Sequence, residues 1–126
     1  LKGDDKALTA QEQKGLQAFI SNGCAACHNG PTLGGKMYQK LGLVNAYGNQ
    51  QDQGRYDLTK IEADRMVFKV PMLRDVGRTA PYFHDGSVKT LEEAVSQMAW
   101  LQLGKKMDAA TTADIVAFLK SMNNIK

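Results

Sequence analysis

The sequence predicts an all-α domain, and three observations carry that prediction. Two capping boxes each stand before a segment with helical apolar spacing, at Thr9/Glu12 and Thr90/Glu93. A third segment near the C-terminus repeats apolar residues at i, i+3, i+4 and i+7. The rest is loop-like, with 12 glycines, only 3 prolines, and neither an internal repeat nor a low-complexity tract.

Taken in order, Thr9 caps a first helix running to about residue 21, with Leu16, Phe19 and Ile20 as its apolar face. Gly15 lies four residues before Phe19 on the same side, where a glycine costs about 1 kcal/mol relative to Ala. Its presence there predicts the close approach of another backbone. Asn22-Gly23 ends the helix. From 29 to about 70 the chain reads as loop, and residues 36–40 suit a short helix. A loop this long needs something other than chain to pack on. Residues 71–76 read as a second short helix and 78–86 as a turn-rich connector. Thr90 then caps a helix to about 103, with Leu91, Ala94, Val95, Met98 and Leu101 on one stripe and Gly104 as terminator. The last helix is placed at about 112–122, with Ile115, Phe118, Leu119 and Met122 as its stripe.

At 126 residues, 43% hydrophobic and 23% charged, the chain suits one globular domain, residues 1–126. The net charge is +3 and the basic residues are scattered, with Lys105-Lys106 the one adjacent pair, so no nucleic-acid partner is expected. No apolar run is long enough to span a bilayer, and no signal-peptide pattern opens the sequence. The first residue is Leu1 rather than Met, so a processed product or a fragment is expected.

The two cysteines carry the chemistry. Cys24 and Cys27 stand three positions apart and His28 follows directly. That is the c-type haem attachment pattern: two thiols one turn apart add to two vinyl groups, and the adjacent imidazole reaches the iron. A zinc site would need four ligands, and only His84 remains as a further good nitrogen donor. A thioredoxin-type redox pair would need a βαβ context, which the pattern lacks, and a Cys24–Cys27 disulfide would close too small a loop to stabilise much. One covalent haem c is therefore expected. The helix before the motif and the terminal helix with Phe118 resemble the crossing terminal helices of class I cytochromes c.

The second axial position stays open on these grounds alone. Met98, Met72, Met37, Met66, Met107, Met122, His84 or water are all candidates. A Met ligand would raise the potential and give an electron-transfer site, and an open position would permit small-molecule chemistry. Each Met also has a plain role as flexible core filling, Met98 and Met122 on their helical stripes above all.

Several segments in order extend the resemblance along essentially the whole chain: Gly3-Asp4, CAACHNGPTLGG (24–35), EADRMVFKVPMLRDV (62–76), TAPYFHDGS (79–87), LEEAV (91–95) and IVAFLKSM (115–122). Together they resemble the C-terminal haem domain of bacterial di-haem cytochrome c peroxidases. The resemblance implies a high-potential haem with His28 and Met98 as axial ligands. It implies a small cytochrome c or a cupredoxin as electron donor, and a second, peroxide-reducing haem in another domain. It also implies a calcium ion between the haems, held in part by the carbonyls of Thr79 and Pro81. His84 would then be packed near the haem, bonded to a propionate or to backbone. Arg55, Arg65 and Arg74 are candidates to pair with propionates, Arg55 first because Gly54 precedes it. Trp100 is expected in core or interface packing. With a single Cys-x-x-Cys-His, the chain itself is expected to transfer electrons rather than reduce peroxide, in the periplasm. The alternative is a free-standing monohaem carrier, and a more distant one a peroxidase or sensor with an open sixth site.

Overall fold

A computed structural model describes residues 3, 4 and 6–124. The start at Leu1, where the resemblance suggested a domain boundary, lies outside the described residues.

Helix α1 spans Ala10–Ser21. Its capping box is formed: Thr9 N–H donates to Glu12 Oε2 at 2.7 Å, and Glu12 N–H donates to Thr9 Oγ1 at 3.3 Å. Helix α4 spans Ala109–Ser121, about one turn longer at its start than the apolar stripe alone predicted. The reason is Asp108, which caps it by accepting from Thr111 N–H at 2.7 Å. The two helices make the most extensive helix–helix contact of the fold. Gly15 is the crossing point, because a Cβ there would lie 1.9 Å from the carbonyl oxygen of Asp114. Phe19 packs beside it on Phe118, with ring centroids 5.6 Å apart. Ile20, placed on the buried face by the sequence reading, is instead 54% exposed.

Helix α3 spans Leu91–Leu103, capped by the Thr90/Glu93 box and ended by Gly104 in the left-handed region (φ 65°). It lies against α4. Trp100, expected in packing, sits on its surface side with Lys106 Nζ 5.8 Å from the ring centroid.

The connecting region departs from the all-α reading. Residues 36–40 do not form a helix. Tyr38–Lys40 is a strand, β1, paired antiparallel with β2, Val67–Lys69, in the register Tyr38–Lys69, Gln39–Phe68 and Lys40–Val67. The pairing joins segments about 30 residues apart, and three-residue strands show no periodicity of their own. A one-turn helix, α2, covers Tyr56–Thr59 between them. Residues 71–76 are not helical either. Leu73 N–H pairs back to the carbonyls of Thr32 (3.1 Å) and Leu33 (3.3 Å), and Asp75 is left-handed (φ 61°), so the first helical turn begins at Val76.

The buried apolar residues form two clusters rather than one. The first contains Phe19, Tyr82, Val88, Leu91, Ala94, Ile115, Val116, Phe118 and Leu119. The second contains Leu41, Tyr47, Met66 and Leu101. Phe83 borders both.

Candidate functional site

Gly23, left-handed at φ 98°, turns the chain out of α1 directly into a 3₁₀ turn, Cys24–Ala26. Cys27 and His28 both donate their backbone N–H to Cys24 C=O, at 3.3 and 3.0 Å, so the three residues sit on one tight turn. Both thiols are unbridged and half-buried. Burial pushes the Cys24 thiol up, against a smaller lowering from its own backbone hydrogen bond and from Lys105, so it is protonated at neutral pH.

The imidazole of His28 is half-buried and lies 6.4 Å from the Phe19 ring, centroid to centroid. Its Nδ1 is 3.3 Å from the carbonyl oxygen of Leu33. A carbonyl can only accept, so Nδ1 carries the proton and Nε2 keeps its lone pair. Burial pushes the imidazolium form down, and the carbonyls of Leu33 and Pro71 act in the opposite direction, towards a held proton. A neutral ring with one nitrogen tied to backbone is the form in which histidine ligates a metal.

Met98, on α3, borders the second apolar cluster with Phe68 and Phe83, whereas Cys24 and Leu33 border the first. The Cys-x-x-Cys-His turn and Met98 thus flank different halves of the divided apolar interior. Met122 packs against the first cluster, as core filling would, and Met66 is buried in the second. Met72 is 57% exposed.

Other sequence-predicted residues are distributed more widely. His84 is exposed, stacked on Phe68 at 4.2 Å and edge-on to Tyr47 at 5.6 Å. Arg55 lies 3.7 Å from Asp64 and over the Tyr38 ring. Arg65 makes two hydrogen bonds to Glu62 and covers Tyr56, and Arg74 is 3.9 Å from Asp75. All three cations therefore already have protein partners. Thr79 and Pro81 are exposed, on the connector between the Val76–Arg78 turn and α3.

Two features escaped the sequence reading. Asp85 accepts from Tyr47 Oη (2.8 Å), Asn49 Nδ2 (3.0 Å) and Ser87 N–H (3.1 Å). Gln102 ties α3 to the loop after β1, accepting from Gly42 N–H (2.7 Å) and Leu43 N–H (3.2 Å) and donating to Lys40 C=O (2.9 Å). Apart from the local Ser87 contact, each bond joins residues at least 36 positions apart, and only Gly42 beside Leu43 hinted at a close turn.

Comparison with known proteins places this geometry. The chain is 49% identical over 127 residues to cytochrome c551 peroxidase of Pseudomonas aeruginosa, with 98% of the chain and 37% of that protein covered. It is 47% identical to cytochrome c551 peroxidase of Nitrosomonas europaea, again with 37% of that protein covered. The chain is homologous to bacterial cytochrome c peroxidases. A third such peroxidase, from Escherichia coli, is 47% identical over 99% of the chain and 28% of its own length. No family model matches. Among solved structures, a MauG-like protein associated with microbial copper homeostasis superposes with a TM-score of 0.76 at 27% identity, over 94% of the chain and 48% of that protein. The cytochrome c peroxidase homologue thus spans little more than a third of the first two relatives. No helix among the described residues is long and apolar enough to cross a membrane.

Cytochrome c peroxidases are haem proteins by name, and the donor set fits a c-type haem. Two unbridged thiols share one turn with a neutral imidazole whose free nitrogen is Nε2. Met98, a thioether bordering the second apolar cluster, has the soft donor that a second iron ligand would need.

Proposed function

We propose that residues 1–126 form a single electron-transfer domain holding one haem c. Cys24 and Cys27 would carry it through thioethers, His28 would bind the iron through Nε2, and Met98 would be the second protein ligand. The observation that carries this reading is the His28 ring: half-buried, neutral and tied at Nδ1, directly after two unbridged thiols. When bound, the haem supplies a one-electron couple at its iron.

The chain's own residues would tune that couple. The carbonyl of Leu33 accepts from Nδ1 of His28, which would fix the ring and strengthen its donation. The second apolar cluster, which Met98 borders, would shield that ligand from water. With His28 and Met98 both serving as ligands, this domain would offer peroxide no site on the metal. The part of this domain is then to accept electrons from a small cytochrome c or a cupredoxin. It would pass them to a second, peroxide-reducing haem domain, as in di-haem cytochrome c peroxidases. Identity of 47–49% to cytochrome c551 peroxidases over nearly the whole chain favours this over a free-standing carrier. The exposed carbonyls of Thr79 and Pro81 would lie at the junction with that domain and share a calcium ion there. His84, fixed by Phe68 and Tyr47, and Arg55 would stand towards the propionates. Thioether attachment outside the cytoplasm makes the periplasm the compartment.

The test is mass spectrometry and stopped-flow on the haem-loaded chain. The reading expects a mass increase of one haem that survives denaturation, rapid reduction by a ferrous small cytochrome c, and negligible peroxide consumption. A haem lost on denaturation, or efficient peroxide turnover by this chain alone, would overturn it.

A further inference from the structure

We infer that Gly34 is a positioning residue for His28, and that its missing side chain sets the reduction potential of the haem site. The inference rests on His28 being the proximal ligand, as proposed above.

The Leu33 carbonyl accepts from His28 Nδ1 at 3.3 Å, and the loop that carries it, after the cysteines, lies against the stretch after β2 that contains Pro71. The two segments are laced together. Gly35 N–H donates to Val70 C=O at 2.8 Å, and Leu73 N–H donates to the carbonyls of Thr32 and Leu33. Leu33 is left-handed at φ 47°, which turns its carbonyl to within 3.3 Å of Nδ1. At the centre of the lacing is Gly34, buried and at φ 132°. A Cβ on Gly34 would lie 2.1 Å from the Pro71 carbonyl oxygen, 2.9 Å from its carbon and 3.3 Å from Met72 Cα. All three obstacles are backbone, so the two segments must part, and Gly34 shares its peptide group with the Leu33 carbonyl that accepts from His28 Nδ1.

The neighbouring glycine provides the contrast. Gly35 is also left-handed (φ 80°), but a Cβ there would meet Met72 Cγ at 2.9 Å, part of a flexible and exposed side chain. Gly48 has nothing within 4 Å. Backbone strain alone is therefore shared by Gly34 and Gly35, and displacement of the Pro71 carbonyl belongs to Gly34.

Hydrogen bonding at Nδ1 gives the imidazole more anionic character and favours the ferric iron. Lengthening or losing the Leu33 hydrogen bond should favour the ferrous form. In the haem-loaded chain, Gly34→Ala is expected to raise the ferrous-to-ferric ratio at a fixed ambient potential about tenfold, equivalent to ~59 mV for a one-electron couple. Gly35→Ala and Gly48→Ala should change it less than about twofold. The same variant should speed solvent exchange of the His28 Nδ1 proton in the ferrous protein. A Gly34→Ala protein with an unchanged ratio, or a shift matched by Gly35→Ala, overturns the inference. If Gly34→Ala does not take up haem, the wild-type protein decides: a slowly exchanging Nδ1 proton supports the inference, and exchange as fast as a free imidazole's overturns it. His28→Ala separates the two levels. A spectrum indifferent to that change would show that the ligand assignment itself had failed.

Discussion

Replacing Gly15 by alanine places a methyl group where α1 crosses α4, 1.9 Å from the Asp114 carbonyl oxygen, 2.6 Å from its carbon and 2.9 Å from Phe118 Cβ. Two opposing terms follow. In an unpacked helix the substitution would stabilise by about 1 kcal/mol through backbone propensity. Here the helices must part by about 1 Å before even the tightest tolerable contact is reached, and the obstacle is helical backbone that cannot rotate away. Overpacking of this kind costs about 3 kcal/mol at the upper end of its usual range, and the separation also loosens Phe19 against Phe118. The net expectation is a destabilisation of about 2 kcal/mol, or roughly 8 °C in melting temperature for a domain of this size. Urea unfolding of the haem-loaded chain, followed by far-ultraviolet ellipticity, measures it. Gly48→Ala, in open space, should stay within about 0.5 kcal/mol of the parent. A Gly15→Ala protein as stable as the parent, or more stable, would refute the crossing geometry.

Two further expectations concern the loops around the site. Partial burial raises the Asp85 carboxyl, but hydrogen bonds from Ser87, Tyr47 and Asn49 outweigh it and hold the group well below the usual carboxylate range. Its contribution is therefore present above the unfolded carboxylate pKa of about 3.9 and is lost as pH falls below that value towards the folded pKa. Melting temperatures of the parent and Asp85→Asn should differ at neutral pH and converge below about pH 4; a constant gap would contradict the network. Gln102→Ala strands the buried Gly42 N–H, which should cost about 1–3 kcal/mol. Amide exchange should quicken at Gly42 and Leu43 more than at Val44 and Asn45, which donate instead to Leu101 C=O; equal rates across the four would remove Gln102 as the tie.

What could be read from the sequence was local. The capping boxes at Thr9 and Thr90, the Gly104 terminator and the Cys24-Ala-Ala-Cys27-His28 run depend on residues within one or two turns of each other, and each helix stands where those residues put it. Gly15 was legible for the same reason, since a glycine on an apolar helical face needs a packing cause. The small sheet was not legible, because Tyr38–Lys40 and Val67–Lys69 define each other only once the intervening loop has folded. The helix expected at 71–76 failed for the same reason: Leu73 satisfies its N–H on Thr32 and Leu33, a partnership no local pattern encodes. Ile20 shows the limit of stripe counting, since periodicity marks a face without saying how far packing extends across it. The acceptor of the His28 proton, the Leu33 carbonyl, is the functional part most hidden from sequence. A backbone carbonyl carries no residue identity, and only the glycine pair at 34–35 marked where it stands.

The optical spectrum of the haem-loaded chain, ferric and ferrous, with and without Met98→Ala, tests the central claim most directly. The account predicts a low-spin spectrum with the weak far-red sulfur-to-iron band, and loss of that band in Met98→Ala. A high-spin spectrum in the parent, or a far-red band indifferent to the substitution, would contradict axial ligation by Met98 and the electron-transfer role built on it.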